Sequence, residues 1–357
     1  MMEKGIRRRE FISMAAAASV APGVLKAADG ESQIKAFLMH LGGNMWCEWL
    51  PENIAYDPES KYKPNLKLRT KDELWRKVID HVIKRGMNMV VIDLGEGVQY
   101  PSHPELALEG TWPVQKLKDE IKRLRDHGVE AIPKLNFSAT HDGWLKDYHR
   151  MLTLPKYYEV VKDLIRDVVD IFDGPRFFHL GYDEETTGYA KGRNYFVMRS
   201  GEMWWHDFLF TVDCVQKAGA RPWVWSDYGW HHKEYFTRCP KSVVQSDWYY
   251  DEANADFSLD PKKNSHWFRL NEILELEAAG FDQIPCGTNW VGWKRKADGV
   301  GADDVIGKLV KFSRKHVAKE RLLGFMMAPW SHCSDQEGTD FALRAADLFA
   351  EALKQES

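Results

Sequence analysis

An α/β protein built as a single (β/α)8 barrel, the TIM-barrel fold class, is what this 357-residue chain predicts, on three observations. Eight apolar, strand-like runs alternate with amphipathic helical runs from Ile34 onward. Many of the helical runs stop just before a glycine, as in Arg85-Gly86, His127-Gly128, Ala218-Gly219 and Ala279-Gly280. Neither Gly42-Gly43-Asn44 nor Gly95-Glu96-Gly97 makes the glycine-rich phosphate loop that a doubly wound open sheet usually carries after an early strand.

The first strand is expected over Ile34 to Leu41 and the first helix over Lys71 to Arg85. Strand two runs from Met87 to Leu94, helix two from Val114 to His127, strand three from Val129 to Phe137 and helix three from Lys156 to Phe172. A Gly-Pro break at Gly174-Pro175 opens the fourth strand, Arg176 to Asp183, and a Thr/Gly-rich loop begins at Thr186. Then come helix Gly201 to Ala218, strand Arg221 to Asp227, and a crossover around 228–242 with a weak helical pattern. Strand Val243 to Tyr249, helix His266 to Ala279, strand Gln283 to Trp290, helix Asp303 to Ala318, strand Leu322 to Trp330 and helix Asp340 to Leu353 complete the set. No Pro-, Gly- or Ser-rich linker divides the chain after residue 33, so residues 29–357 read as one domain.

Composition narrows the function classes. A 44% hydrophobic content suffices for a full core, and a net charge of -4 with both signs interspersed gives no footprint for nucleic acid or an anionic membrane. The five cysteines, Cys47, Cys214, Cys239, Cys286 and Cys333, are scattered without Cys-x-x-Cys spacing, so buried inert thiols are expected rather than zinc or a disulfide framework. At the N-terminus, Arg7-Arg8-Arg9-Glu10-Phe11-Ile12 precedes an alanine-rich run from Ser13 to Val24 with small residues at Ala27 and Ala28. That pattern matches a twin-arginine export signal over residues 1–28, and implies a periplasmic or secreted product without stable membrane insertion.

Chemistry concentrates where strand four stops. In Phe177-Phe178-His179-Leu180-Gly181-Tyr182-Asp183-Glu184-Glu185, His179, Gly181 and Asp183 share one strand face, and Asp183 and Glu184 both approach one ligand because the alternation lapses there. Neighbouring carboxyls in different surroundings suit acid/base work, one ionised and the other protonated. A barrel carries its active site at the C-terminal strand ends. Those ends deliver His40, Asn44 and Trp46; Asp93 and Glu96; Asn136, His141 and Asp142; Asp183, Glu184 and Glu185; Trp225 and Asp227; Asp247, Trp248, Tyr249 and Tyr250; Asn289 and Trp290; and Trp330, Ser331 and His332. Indoles rimmed by carboxylates, without the Arg or Lys a phosphate would need, fit a neutral carbohydrate. No cofactor and no metal is called for, and the chain is silent on oligomeric state.

His179-Leu180-Gly181-Tyr182-Asp183-Glu184 resembles the His-x-Gly-Gly-Asp-Glu signature of family 20 glycoside hydrolases, the β-N-acetylhexosaminidases, at the same fourth barrel strand. Trp223-Val224-Trp225-Ser226-Asp227 is similar to that family's fifth-strand Trp-x-Glu segment, and Trp290 and Trp330 fall where its seventh and eighth strands end. The resemblance implies a hydrolase of β-linked N-acetylhexosaminides or a related glycan. Glu184 would be the general acid/base, Asp183 would orient the substrate's 2-acetamido group, and His179 would support the pair. Trp46, Glu96, Trp225, Asp227, Asp247, Trp248, Tyr249, Trp290 and Trp330 stand as the accompanying sugar-binding candidates.

The chain departs from the pattern at Tyr182, at Trp290-Val291-Gly292-Trp293, at Trp330-Ser331-His332, and in lacking the first-strand Arg; Tyr249 or Tyr250 is the candidate to replace a missing Tyr. No Glu ends the seventh strand, so the alternatives to substrate assistance are an inverting scheme using Asp227, Asp247 or Glu96, a metal-dependent barrel using His40, His179, Asp183, Glu96 or His332, and a non-catalytic sugar binder.

Overall fold

The structure is a computed structural model that describes residues 33–49, 63–189, 193, 195–250, 257–290 and 302–354. The export signal expected over residues 1–28, and Val291, Gly292 and Trp293, lie outside the described residues.

Eight parallel strands form the sheet, in the order β6-β5-β4-β3-β2-β1-β8-β7. They are β1 (Ile34–His40), β2 (Met89–Asp93), β3 (Glu130–Lys134), β4 (Phe177–His179), β5 (Arg221–Trp225), β6 (Val244–Ser246), β7 (Cys286–Gly287) and β8 (Gly324–Met327). Bridges Gln245 to Gln283 and Trp248 to Cys286 join β6 to the β7 segment, so the sheet returns on itself as a (β/α)8 barrel.

The helices are α1 (Asp72–Lys84), α2 (Val114–Asp126), α3 (Pro155–Ile171), α4 (Glu202–Lys217), α5 (Tyr235–Arg238), α6 (Trp267–Ala278), α7 (Ala302–His316) and α8 (Gln336–Lys354). Each of the long ones turns an apolar stripe to the sheet; in α1 it is Trp75, Val78, Ile79 and Val82, at helical spacing. The weak fifth crossover is a 3₁₀ turn over Asp227–Trp230 followed by the four-residue α5. Among the described residues, no helix is long and apolar enough to cross a membrane. All five cysteines are free and buried.

Strand parity sorts the core into two layers. Ala36, Leu38, Met89, Val91, Ile132, Phe177, Trp223, Trp225, Val244, Trp248, Tyr250, Cys286, Met326 and Ala328 pack inside the barrel. Phe37, Met39, Val90, Ile92, Phe178, Val224, Tyr249 and Phe325 pack between barrel and helices. This parity decides which strand-end side chains face the opening.

β4 ends four residues earlier than its apolar run suggests. Past His179, Gly181, Tyr182 and Glu184 hold left-handed backbone with φ of 74°, 75° and 59°. At Gly181 only glycine fits, because a Cβ there would lie 2.0 Å from Asn136 Oδ1. Tyr182 tolerates its conformation because its hydroxyl sits 2.6 Å from Thr211 Oγ1 and donates to the Asp207 carbonyl at 3.1 Å, while its ring packs on Trp204 and Phe208. Left-handed non-glycine residues held this way mark positions the surrounding structure over-determines, commonly at functional sites.

Candidate active site

The left-handed turn aims Asp183 and Glu184 at the opening. Asn136 Nδ2 donates to Asp183 Oδ1 at 2.8 Å, and the hydroxyls of Ser138 and Thr140 donate to the Asp183 carbonyl at 2.5 and 3.1 Å. The Glu184 backbone N–H donates to Asp227 Oδ2 at 2.9 Å. His141 spans the pair, with Nδ1 3.8 Å from Asp183 Oδ1 and Nε2 3.4 Å from Glu184 Oε2.

Behind the turn, the fully buried Arg199 pairs with Glu185, lies 3.3 Å from Asp207 Oδ2 and donates to the Phe137 carbonyl at 2.9 Å. Glu185 Oε1 also accepts the Ala139 N–H at 2.9 Å. This ion network ties the loop after β4 to the loop after β3.

Electrostatics separates the carboxyls. Burial, then the charges of Asp183 and Asp227, push Glu184 up to about 8, although 28% of its side chain remains exposed toward the opening. Burial and the Asp183 charge push Asp227 up to about 7. Glu184 therefore carries a proton at neutral pH beside a site that solvent and ligand can reach. Burial lowers His141, which keeps its imidazole neutral. His179 is lowered further, by burial and then by Lys134.

The predicted site residues divide into three sets. Asp183, Glu184 and Asp227 come together as described. The second set is aromatic and lines the interior: His179 packs against Trp225 at 4.7 Å, Trp225 against Trp330 at 5.6 Å, and Trp330 against Tyr250 and Trp46 at 6.4 and 6.5 Å. Trp248 joins through Tyr250 at 4.8 Å, and Trp290 Nε1 donates to the Pro329 carbonyl at 2.8 Å beside the end of β8. His179 Nδ1 accepts the Gly181 N–H at 3.1 Å, so His179 touches the acidic pair through the backbone turn.

The third set serves the frame. Glu96 Oε1 accepts the Gly43 and Asn44 N–H groups at 2.7 and 3.0 Å, pinning the loop after β1. Asp247 Oδ1 accepts Trp230 Nε1 at 2.9 Å on the outer side of β6, where burial raises both it and Glu272 of α6. Tyr249 is fully buried in the outer layer against Phe257, and Asn264 Nδ2 donates to its hydroxyl at 3.2 Å; Tyr250, one residue on, takes the inner place. Parity within the strand carried that distinction, since Trp248 and Tyr250 fall on one face and Tyr249 on the other.

Sequence reasoning placed Asn136 and His141 at the third strand end without a role, and passed over Lys134. Its available signal was a lysine at an inward position of an otherwise apolar strand.

No family model matches the sequence, and no curated protein sequence does. Solved structures do resemble it in fold. A GH20 exo-β-N-acetylglucosaminidase from Vibrio harveyi, in complex with N-acetylglucosamine, superposes with TM-score 0.53 at 14% identity, over 90% of this chain and 56% of that one. A β-N-acetylhexosaminidase from Bacteroides fragilis gives 0.57 at 14% identity, over 88% of this chain and 65% of that one. Dispersin B gives 0.55 at 15% identity, over 91% of this chain and 100% of that one. The chain shares their barrel fold. It spans 56% and 65% of the lengths of the first two, and at these identities the likeness speaks for architecture, while site chemistry must carry function.

Proposed function

We propose that this chain is a glycoside hydrolase acting on β-linked N-acetylhexosaminides, with Glu184 as general acid/base and Asp183 orienting the 2-acetamido group. One observation carries the reading: a carboxyl raised to about 8 lies open to the barrel mouth directly beside a second carboxyl, at the end of β4. The fold shared with β-N-acetylhexosaminidases supports it.

In the first step Glu184 gives its proton to the glycosidic oxygen as that bond breaks. The Asp183 carboxylate accepts a hydrogen bond from the acetamido N–H, and the acetamido carbonyl oxygen bonds to the anomeric carbon. In the second step the Glu184 carboxylate takes a proton from water, which opens the cyclic intermediate and regenerates both groups. Asn136 fixes the Asp183 carboxylate, and the half-buried indole of Trp330, backed by Trp225, offers a flat apolar face to the sugar's C–H groups.

The test is turnover of aryl β-N-acetylglucosaminide and β-N-acetylgalactosaminide beside Asp183→Asn and Glu184→Gln. Each variant is expected to lose about 10²–10⁴-fold in kcat while still binding sugar, and a thiazoline mimic of the cyclic intermediate should block the wild type. Wild-type inertness to both substrates and to the thiazoline would sink the reading. An inverting scheme would fall to Asp227, the member of its three candidate carboxyls placed against Glu184.

A second reading has its own observation. Ligand atoms of His141, Asp183 and Glu184 lie within 4.8 Å of one another, a spacing that suits a divalent cation. Metal content of the purified protein, with loss of activity on chelation and its return with metal, would favour that reading over the substrate-assisted one.

Export through the twin-arginine route, with cleavage near Ala28, is part of the proposal. N-terminal sequencing of protein recovered from the periplasm tests it.

A further inference from the structure

The barrel interior at the level of the β1 to β4 strand ends holds buried charge that the proposed reaction leaves unexplained. Pairing places His40 beside Asp93, Asp93 beside Lys134, and Lys134 beside His179, so four polar side chains share one level of an otherwise apolar interior. The side chains of His40 and Lys134 are wholly buried and that of Asp93 nearly so.

Lys134 Nζ donates to Asp93 Oδ2 at 2.6 Å, and the same oxygen lies 3.2 Å from His40 Nδ1. Burial works to raise Asp93, but Lys134 and His40 outweigh it and hold the carboxyl well below its ordinary range. His40 is lowered, by burial first, with Asp93 opposing. An ionised carboxylate only accepts hydrogen bonds, so the Asp93 charge 3.2 Å from Nδ1 favours a neutral imidazole with its proton on Nδ1 and Nε2 as an acceptor.

Among the described residues neither ring nitrogen has a hydrogen-bond partner of good geometry; Nδ1 has its close contact with Asp93, and Nε2 has none. Around the ring stand Trp46 at 5.1 Å, Trp330 at 5.5 Å and His332 at 5.5 Å between centroids. Buried imidazoles ordinarily find two partners, so a buried acceptor flanked by two indoles and a second imidazole calls for a donor. Indoles take the C–H face of a sugar, and a sugar hydroxyl is a donor of the required size and neutrality.

We propose that His40 is a specificity-determining residue of the sugar site, its Nε2 accepting a hydrogen bond from one ring hydroxyl of the bound sugar, in the tautomer favoured by the neighbouring Asp93–Lys134 ion pair. The inference rests on the barrel mouth being a sugar site, not on the acetamido chemistry. It distinguishes sugars by the presence of one donor at one ring position, because a deoxy sugar leaves the acceptor buried and unmet.

The experiment is titration calorimetry with methyl β-N-acetylglucosaminide, methyl β-glucoside and methyl β-galactoside, and with the 3-, 4- and 6-deoxy forms of whichever binds tightest. It uses wild type, His40→Phe and His40→Gln, whose folding is checked by circular dichroism and Tm. His40→Phe keeps the ring and removes the acceptor; it should weaken the parent sugar about ten-fold. One deoxy sugar should be weakened similarly in wild type but no further in His40→Phe, and His40→Gln, which retains an acceptor, should recover part of the loss. Unchanged affinity of folded His40→Phe for every sugar, with the Nε2 site filled by water instead, overturns the inference and leaves the hydrolase reading standing. Absence of sugar binding by the wild type overturns both. Binding without preference for the acetamido sugar, but with the single-hydroxyl coupling to His40, supports this inference against the N-acetylhexosaminide reading.

Discussion

Asp93 and Glu184 are acids at strand ends of one barrel, and their surroundings drive them in opposite directions. Burial pushes both up. At Asp93, Lys134 at 2.6 Å and His40 at 3.2 Å overturn that push, and the group stays a fixed negative charge. At Glu184, Asp183 and Asp227 add to it, with Arg269 opposing least, and the group holds a proton near neutrality. Burial sets how much is at stake, and the sign of the neighbouring charge decides the outcome. The β1 to β3 side of the barrel is thereby a paired, charged frame, and the β4 to β5 side a cluster of carboxyls raised toward neutrality.

The comparison breaks most visibly at Lys134. Lys134→Met strands a buried carboxylate and should cost about 3–5 kcal/mol in urea unfolding at pH 7, with Asp93→Leu added on top restoring much of it. The pH dependence should also invert. In wild type the depressed Asp93 contributes stability above its unfolded value, and this contribution is lost as pH falls through the native one. In Lys134→Met the native value rises above the unfolded one, so the variant should be closest to wild type in acid and fall behind as pH rises. A variant that unfolds at the wild-type midpoint at every pH would show that the pair does no such work.

Gly181→Ala should come next, at about 1–3 kcal/mol for placing a side chain at φ 74° against Asn136. Because Asn136 also holds Asp183, turnover should fall by more than the loss of folded protein explains, which kcat per active site, titrated with thiazoline, will read. The smallest expected effect sharpens the comparison. Asp227→Asn removes one of the two charges that raise Glu184, so the alkaline limb of kcat, set by loss of the Glu184 proton, should move down from about 8. A limb that stays in place would mean that burial and the Asp183 charge hold that proton without Asp227.

Much of this was legible in the chain because it is local. Apolar runs of strand length, amphipathic runs ended by glycine, and the halt of an apolar strand at Asp183-Glu184 are properties of a few consecutive residues, and the barrel follows from repeating them. Parity could also have separated Tyr250 from Tyr249 and shown Lys134 pointing inward, since it needs only counting along a strand. What the sequence alone determined, then, was the architecture and the presence of the acidic pair Asp183 and Glu184 at the C-terminal end of the fourth strand.

Tertiary structure decided the partners. His40 and Asp93 are 53 positions apart and meet only when β1 pairs with β2; Lys134 joins them through β3, 41 positions further on. His141 reaches Asp183 and Glu184 only because the loop after β3 folds over β4. Glu96 and Asp247 carry the same chemistry on paper as Asp227, yet two backbone amides claim the first and an indole the second. Whether a carboxyl is fixed charge, proton donor or structural pin depends on which charges and donors lie within a few ångströms, and in a closed barrel that is set by pairing between distant strands.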